Sequence, residues 1–286
     1  MAAVGILLAT TTVSVDAAKT NQVAIAYELP RNATYKTVRA ELQKRRVLER
    51  LQAFLSPIRL PRTVTFVLAE CGGDPEAFYG DNKITICYEL VKDLFDDMPA
   101  KTTPAGIAPF DTVVGPFVDT CLHEFSHAIF DILKIPVLGR EEDAADQVAA
   151  YIYLQLDPAE ASRLVAGAIY RHLREADSDD AAVTREEFDE DFAEEHSTPK
   201  QRAYNLMCIA YGADPKRFEY VVSKGHLPTE RAQTCEEEYE RVQDAFEKLI
   251  LPHIDVEVMD RVMKKTWLRR STGGERRAWR GSQRRR

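Results

Sequence analysis

His123-Glu124-Phe125-Ser126-His127 holds the residue types in this chain best suited to chemistry, in the pattern H-E-x-x-H. On a helix, residues i and i+4 share one face, so both imidazoles can reach a single metal ion while Glu124 lies beside them. Such a pair is the core of a zinc hydrolase, in which zinc lowers the pKa of a bound water and a glutamate takes its proton. The pattern predicts Zn2+, one ion per chain, held by His123 and His127, with Glu124 as the general base. A catalytic zinc takes three protein ligands and keeps a fourth position for water. The third ligand has to come from another segment.

The elements around the motif suggest where. Phe117, Val118, Cys121, Leu122, Phe125, Ile129 and Phe130 recur at helical spacing, with the two histidines along one border of the stripe. Pro116 is tolerated in a first turn and Pro136 cannot lie inside, so a helix is expected over Phe117–Leu133. Gly139 marks a turn, and a second helical pattern opens at Arg140 with Glu141, Glu142 and Asp143 in its first turn. Folded back across the first helix, it offers Glu142 and Asp146 on one face. Glu142 is read as the third ligand, with Asp146 accepting a hydrogen bond from the far nitrogen of a ligand histidine. A direct Asp146 ligand is the alternative, because in a tight hairpin centred near Val137 it is Asp146 that lies level with His127.

These residues resemble a known family. H-E-F-S-H-A followed by V-L-G-R-E-E-D-A-A-D-Q is similar to a bacterial group of metallopeptidase-like domains of unknown function in the zincin superfamily. The E-x-x-A-D element, Glu142 to Asp146, also resembles that of gluzincins, where the Glu binds zinc and the Asp supports a histidine. Cys71-Gly72-Gly73, Ala77-Phe78-Tyr79, Cys87-Tyr88-Glu89, His196 with Gln201-Arg202, and Cys208 with Tyr211-Gly212 match the family's style, over roughly Gln22 to Pro252. The resemblance implies an α+β, zincin-like fold: a small N-terminal mixed sheet packed on the active-site helix, then a mostly helical C-terminal half. It implies a strand at the sheet edge that binds extended substrate, for which Ile84–Tyr88 is the candidate. It also suggests a family histidine at His196. Stabilising an oxyanion needs a donor beyond the ligands, and His196 is the first candidate, ahead of Tyr204 and Arg202. His172, His226 and His253 have no context that points to a role.

Composition is that of an ordinary globular protein, with 45% hydrophobic and 29% charged residues. No stretch is long and apolar enough to span a bilayer as a mature segment. Residues 1–17 read as an atypical export signal: Ala2 to Val15 is apolar or small, with small residues around Asp16 but no basic start. Cys71 and Cys87 flank an apparent hairpin, and Cys208 and Cys235 flank predicted helices. Two disulfides with Cys121 left over fit an exported, periplasmic or secreted protein; five free thiols in the cytoplasm are the alternative. No C-x-x-C occurs, which argues against a zinc–thiolate site.

Further along, a helix is expected over Ala33–Leu55, strands at Val23–Tyr27, Val64–Leu68 and Lys83–Cys87, and a turn at Gly80-Asp81-Asn82. After Leu156 helices are expected over Ala159–Glu175, Pro199–Tyr211, Pro215–Gly225 and Thr229–Leu251. Between the first two, Glu175 to Glu195 holds eleven acids against Arg185 alone, the pattern of a solvated segment, and its spacing does not form an EF-hand loop. Residues 18–252 are read as one metallopeptidase domain and 253–286 as a basic, disordered tail. From Arg261 onward that tail carries eleven Lys or Arg and one acid, Glu275, which suits contact with an anionic surface; nucleic acid is not expected as partner. The function expected is hydrolysis of peptide bonds in a peptide or protein substrate. The competing reading is an exported zinc-holding or peptide-binding module with little turnover, which the intact Glu124 argues against.

Overall fold

In the computed structural model the described residues are 22–179 and 193–268. Four strands, β1 (Val23–Tyr27), β2 (Val64–Ala69), β3 (Ala77–Gly80) and β4 (Lys83–Cys87), form one sheet in the order β1-β2-β4-β3. β1, β2 and β4 run parallel, and β3 joins β4 antiparallel through a tight hairpin. Asp81 and Asn82 in that hairpin have φ of 51° and 59°. Two-residue hairpin turns require such positive values, and Asp and Asn tolerate them.

The sheet's free edge corrects one expectation. Ile84–Tyr88 is not an edge strand: β4 lies between β2 and β3, and Tyr88 opens the helix α3 (Tyr88–Asp96). Ile84 and Ile86 are fully buried because both sides of β4 are covered. The edges belong to β1 and β3, and on β3 Phe78 stays exposed. Cys71 and Cys87 lie at disulfide distance, tying the loop after β2 to the end of β4. The Glu89 carboxylate accepts from the N–H groups of Cys71 and Gly73 at 3.1 and 3.2 Å and holds the same loop.

The expected helix over Ala33–Leu55 is two, α1 (Ala33–Arg45) and α2 (Val47–Phe54). Arg46 adopts the left-handed conformation between them, φ 54°, its N–H capping the carbonyls of Leu42 and Gln43. The redirected α2 buries Leu48 and Leu51.

The motif helix, α4 (Asp111–Leu133), starts about a turn and a half before the expected Phe117, with Pro116 inside it. A proline there forfeits the hydrogen bond to the Thr112 carbonyl. Its neighbour Gly115 meets Gly167 of α6 (Pro158–Asp179) so closely that a Cβ on Gly115 would stand 2.7 Å from the Gly167 Cα. Arg163 of α6 secures the start of α4 by two bonds to Asp111 Oδ1, at 3.0 and 2.6 Å. Between them runs α5 (Glu141–Leu154), reached through Lys134 and Gly139, both with positive φ.

The remaining chain is helical, as expected for this half, but in shorter pieces. α7 (Pro199–Ala213) is followed by α8 (Tyr220–Ser223) and α9 (Thr229–Ala232), then α10 (Cys235–Leu249) and α11 (Val256–Met263). Cys208 and Cys235, also at disulfide distance, join α7 to α10, and Cys121 is free and buried. The chain from 253 does not begin a tail: α11 packs Val262 into the body, and the Glu160 carboxylate accepts from the N–H groups of Trp267 and Leu268 at 2.9 and 2.7 Å. The helix Val256–Met263 carries only Arg261 as a basic residue and precedes the Arg-rich run that defined the expected tail. The expected export signal, most of the acidic run and residues 269–286 lie outside the described residues. Among the described residues no helix is long and apolar enough to cross a membrane.

Candidate metal centre

α4 and α5 cross so that the first turn of α5 stands over the histidine face of α4. Glu142 Oε2 lies 3.0 Å from His123 Nε2 and 3.3 Å from His127 Nε2, and the two Nε2 atoms are 3.2 Å apart. Three atoms so spaced make one face of a tetrahedron. Bonds of about 2.0–2.1 Å to a central zinc give edges of about 3.3 Å. Two imidazoles and a carboxylate are also the donor chemistry that zinc takes, so the residues fit the ion. Glu142, rather than Asp146, is the carboxylate that converges with both imidazoles.

Each imidazole is held from behind. His123 Nδ1 lies 2.7 Å from Asp146 Oδ1, and His127 Nδ1 lies 2.8 Å from Glu141 Oε1. Such contacts fix the tautomer that leaves Nε2 facing inward. Asp146 is held in turn by Arg202 of α7, whose Nε and Nη2 donate to Oδ2 and Oδ1 at 2.8 and 2.7 Å. Behind this chain sits a cavity of about 20 Å³ lined by the polar Asp119, Asp146, His172 and Arg202 and by the apolar Ala150, Leu206 and Ile209, room for about one water.

The electrostatics are those of a site built around a positive charge. Burial disfavours a charged His123, but the hydrogen bonds to Asp146 and Glu142 outweigh it and push its pKa up to about 10. Burial likewise opposes ionisation of Glu142, yet three imidazoles at its side hold that carboxyl far below the usual range. Asp146 is also held low, against burial, by Arg202 and His123. Glu124 differs: it is buried in the same helical turn, and burial raises its pKa.

His196, from the segment leading into α7, enters the same cluster. Its Nε2 lies 2.8 Å from Glu142 Oε2, and its ring stacks on that of His123 at 5.8 Å between centroids. Arg202 and Tyr204 are not brought there as donors for an oxyanion. Arg202 is spent on Asp146, because a buried carboxylate needs a paired cation, and Tyr204 packs against the hydrophobic core. His172 is buried between Asp119 and Glu175. Sequence reasoning missed Glu141, since one acid among three in a first turn carries no signal until the crossing angle is known.

An α+β protein with two imidazoles one turn apart, a carboxylate from the next helix and a buried glutamate between them presents a candidate mononuclear metal centre. Residues 27–250, most of the chain, match the model of a family described as a putative metallopeptidase, and the chain belongs to that family. Neither the curated proteins nor the solved structures returned a match. The description of that family points to metal-dependent peptidase activity, and so to a peptide as substrate class.

Proposed function

We propose that the chain is a zinc-dependent metallopeptidase of the zincin type, with His123, His127 and Glu142 as the metal ligands and Glu124 as the general base. The observation that carries this reading is the triangle of Nε2, Nε2 and Oε2 atoms at 3.0–3.3 Å with a buried glutamate beside it. When bound there, zinc would lower the pKa of a water in its open position and polarise the substrate carbonyl. Glu124 takes a proton from the attacking water and passes it to the leaving amine. Its raised pKa suits both halves of that transfer, since a general base works best with a conjugate acid near the operating pH. Asp146 and Glu141 keep the two imidazoles aimed, and Arg202 keeps Asp146 in place.

His196 serves as donor to the substrate oxygen on which negative charge develops. β3, the edge strand joined to α4, takes the substrate as an added strand; Tyr79 Oη, donating to Asp131 Oδ2 at 2.7 Å, fixes β3 to α4 one turn beyond His127. Residues 18–252 then form the peptidase domain, with the segment to Leu268 wrapped back onto it. The two cysteine pairs at disulfide distance support an exported protein. A fluorogenic peptide library incubated with zinc-loaded chain should be cleaved, cleavage should stop on chelation and return with zinc. A loaded chain that cleaves nothing would leave the metal-holding module as the better reading.

A further inference from the structure

Glu142 Oε2 faces three imidazoles, although a catalytic centre of this kind needs only two. His196 Nε2 is the nearest of the three, at 2.8 Å, against 3.0 and 3.3 Å for His123 and His127. The ligand-capable atoms of His123, Glu142 and His196 all lie within 4.8 Å of one another. We propose that His196 is a fourth protein donor that closes the centre in the resting chain and must swing aside before a peptide can enter. The inference rests on the zinc reading above.

Centres with four protein ligands are closed, whereas catalytic ones keep a position for water or substrate. Sharing the inward oxygen of Glu142 with both ligand imidazoles puts His196 at ligand distance, closer in than a donor to a substrate oxygen needs to be. Its position is built rather than incidental. Ser197 Oγ donates to Asp143 Oδ1 at 2.6 Å, so two consecutive residues meet two consecutive carboxylates of α5. Thr198 then caps α7 through a reciprocal bond with Gln201, fixing the backbone just beyond. The side chain itself is loosely held: 51% exposed, against 4% for His123. Rotation about its own bonds breaks its contact with Glu142 and its stacking on His123 and turns the ring toward solvent. His123 has no such freedom. The same imidazole can thus occupy the position at rest and, once displaced, donate to the bound substrate.

The test replaces zinc with cobalt(II), whose absorption reports its coordination, in the wild-type chain and in His196→Ala, His196→Gln and Ser197→Ala. Azide is the probe for an open position. In the wild type, azide should shift the spectrum only at high concentration. A position closed nine-tenths of the time raises the apparent dissociation constant about tenfold. Both His196 variants should bind azide at correspondingly lower concentration and hold cobalt and zinc more weakly. Ser197→Ala, which keeps every candidate donor, should fall between. Equal azide affinity and equal metal affinity in wild type and His196→Ala would overturn the gate while leaving the metal centre standing. Failure of both chains to take up either metal would overturn the centre itself, a distinct result.

Discussion

Asp146 meets two partners at once, the Nδ1 of His123 and the fork of Arg202. Its loss should therefore act through His123. Asp146→Ala is expected to lower zinc affinity by about 10–100-fold, the usual worth of a residue that orients a ligand. Glu142→Ala removes a donor and should cost more; competition with a chelator of known affinity ranks the two. The reverse ranking would exchange their roles. Glu124→Gln should retain the metal and lose at least about 10²–10⁴-fold in turnover, the range typical of general acid–base groups. At this scale the sequence was informative where spacing alone dictates geometry: His123 and His127 share a face, with Glu124 beside them, because they sit on a helix. It was uninformative where geometry depends on how two helices cross. That is why Glu141 carries no signal in the sequence and why Arg202 stands among the candidate oxyanion donors until its place beside Asp146 is known.

At the scale of elements, the site depends on α4 lying against α6 and α5 at fixed angles. The closest approach is at two glycines: a Cβ on Gly167 would stand 2.0 Å from the Asp111 carbonyl oxygen. That neighbour is backbone, so it cannot rotate away. Gly167→Ala is expected to destabilise the fold by about 1–3 kcal/mol or more, as overpacking does. Urea unfolding would measure it against Gly80→Ala, where a Cβ meets nothing within 4 Å. An unshifted midpoint for Gly167→Ala would mean that the two helices can part cheaply. Three of the four strands, the two central helices and the helical second half were legible from alternation and 3.6-residue periodicity, whereas β3, four residues ending in Gly80, is too short to carry a pattern. Boundaries were less so. Arg46 breaks a helix by adopting a left-handed conformation that no local residue type announces, and a buried apolar run such as Ile84–Cys87 reads alike in the middle of a sheet or at its edge.

Over the whole molecule, stability depends on links between distant segments. Cys208 and Cys235 join residues 27 apart in sequence, and losing such a link typically costs about 2–4 kcal/mol; a Cys208→Ala, Cys235→Ala chain should unfold at correspondingly lower urea. A buried charge network adds a pH dependence. Burial works against a charged His172, but the carboxylates of Asp119 and Glu175 outweigh it and raise its pKa. A raised pKa means that the folded chain binds the proton more tightly than the unfolded one. This contribution is complete below the ordinary histidine range and disappears as pH rises through the folded value. Arg202, facing the same carboxylates, opposes it only in part. His172→Gln should therefore flatten the fall in unfolding midpoint from pH 6 upward; an unchanged slope would remove His172 from the account.

The central claim is that the triangle of His123, His127 and Glu142 holds one zinc ion. Zinc per chain, measured by elemental mass spectrometry on protein purified without added metal, tests it most directly, with Glu142→Ala measured beside the wild type. Close to one zinc is expected in the wild type and little in the variant. A wild-type chain that carries none, and takes none on titration, would contradict it.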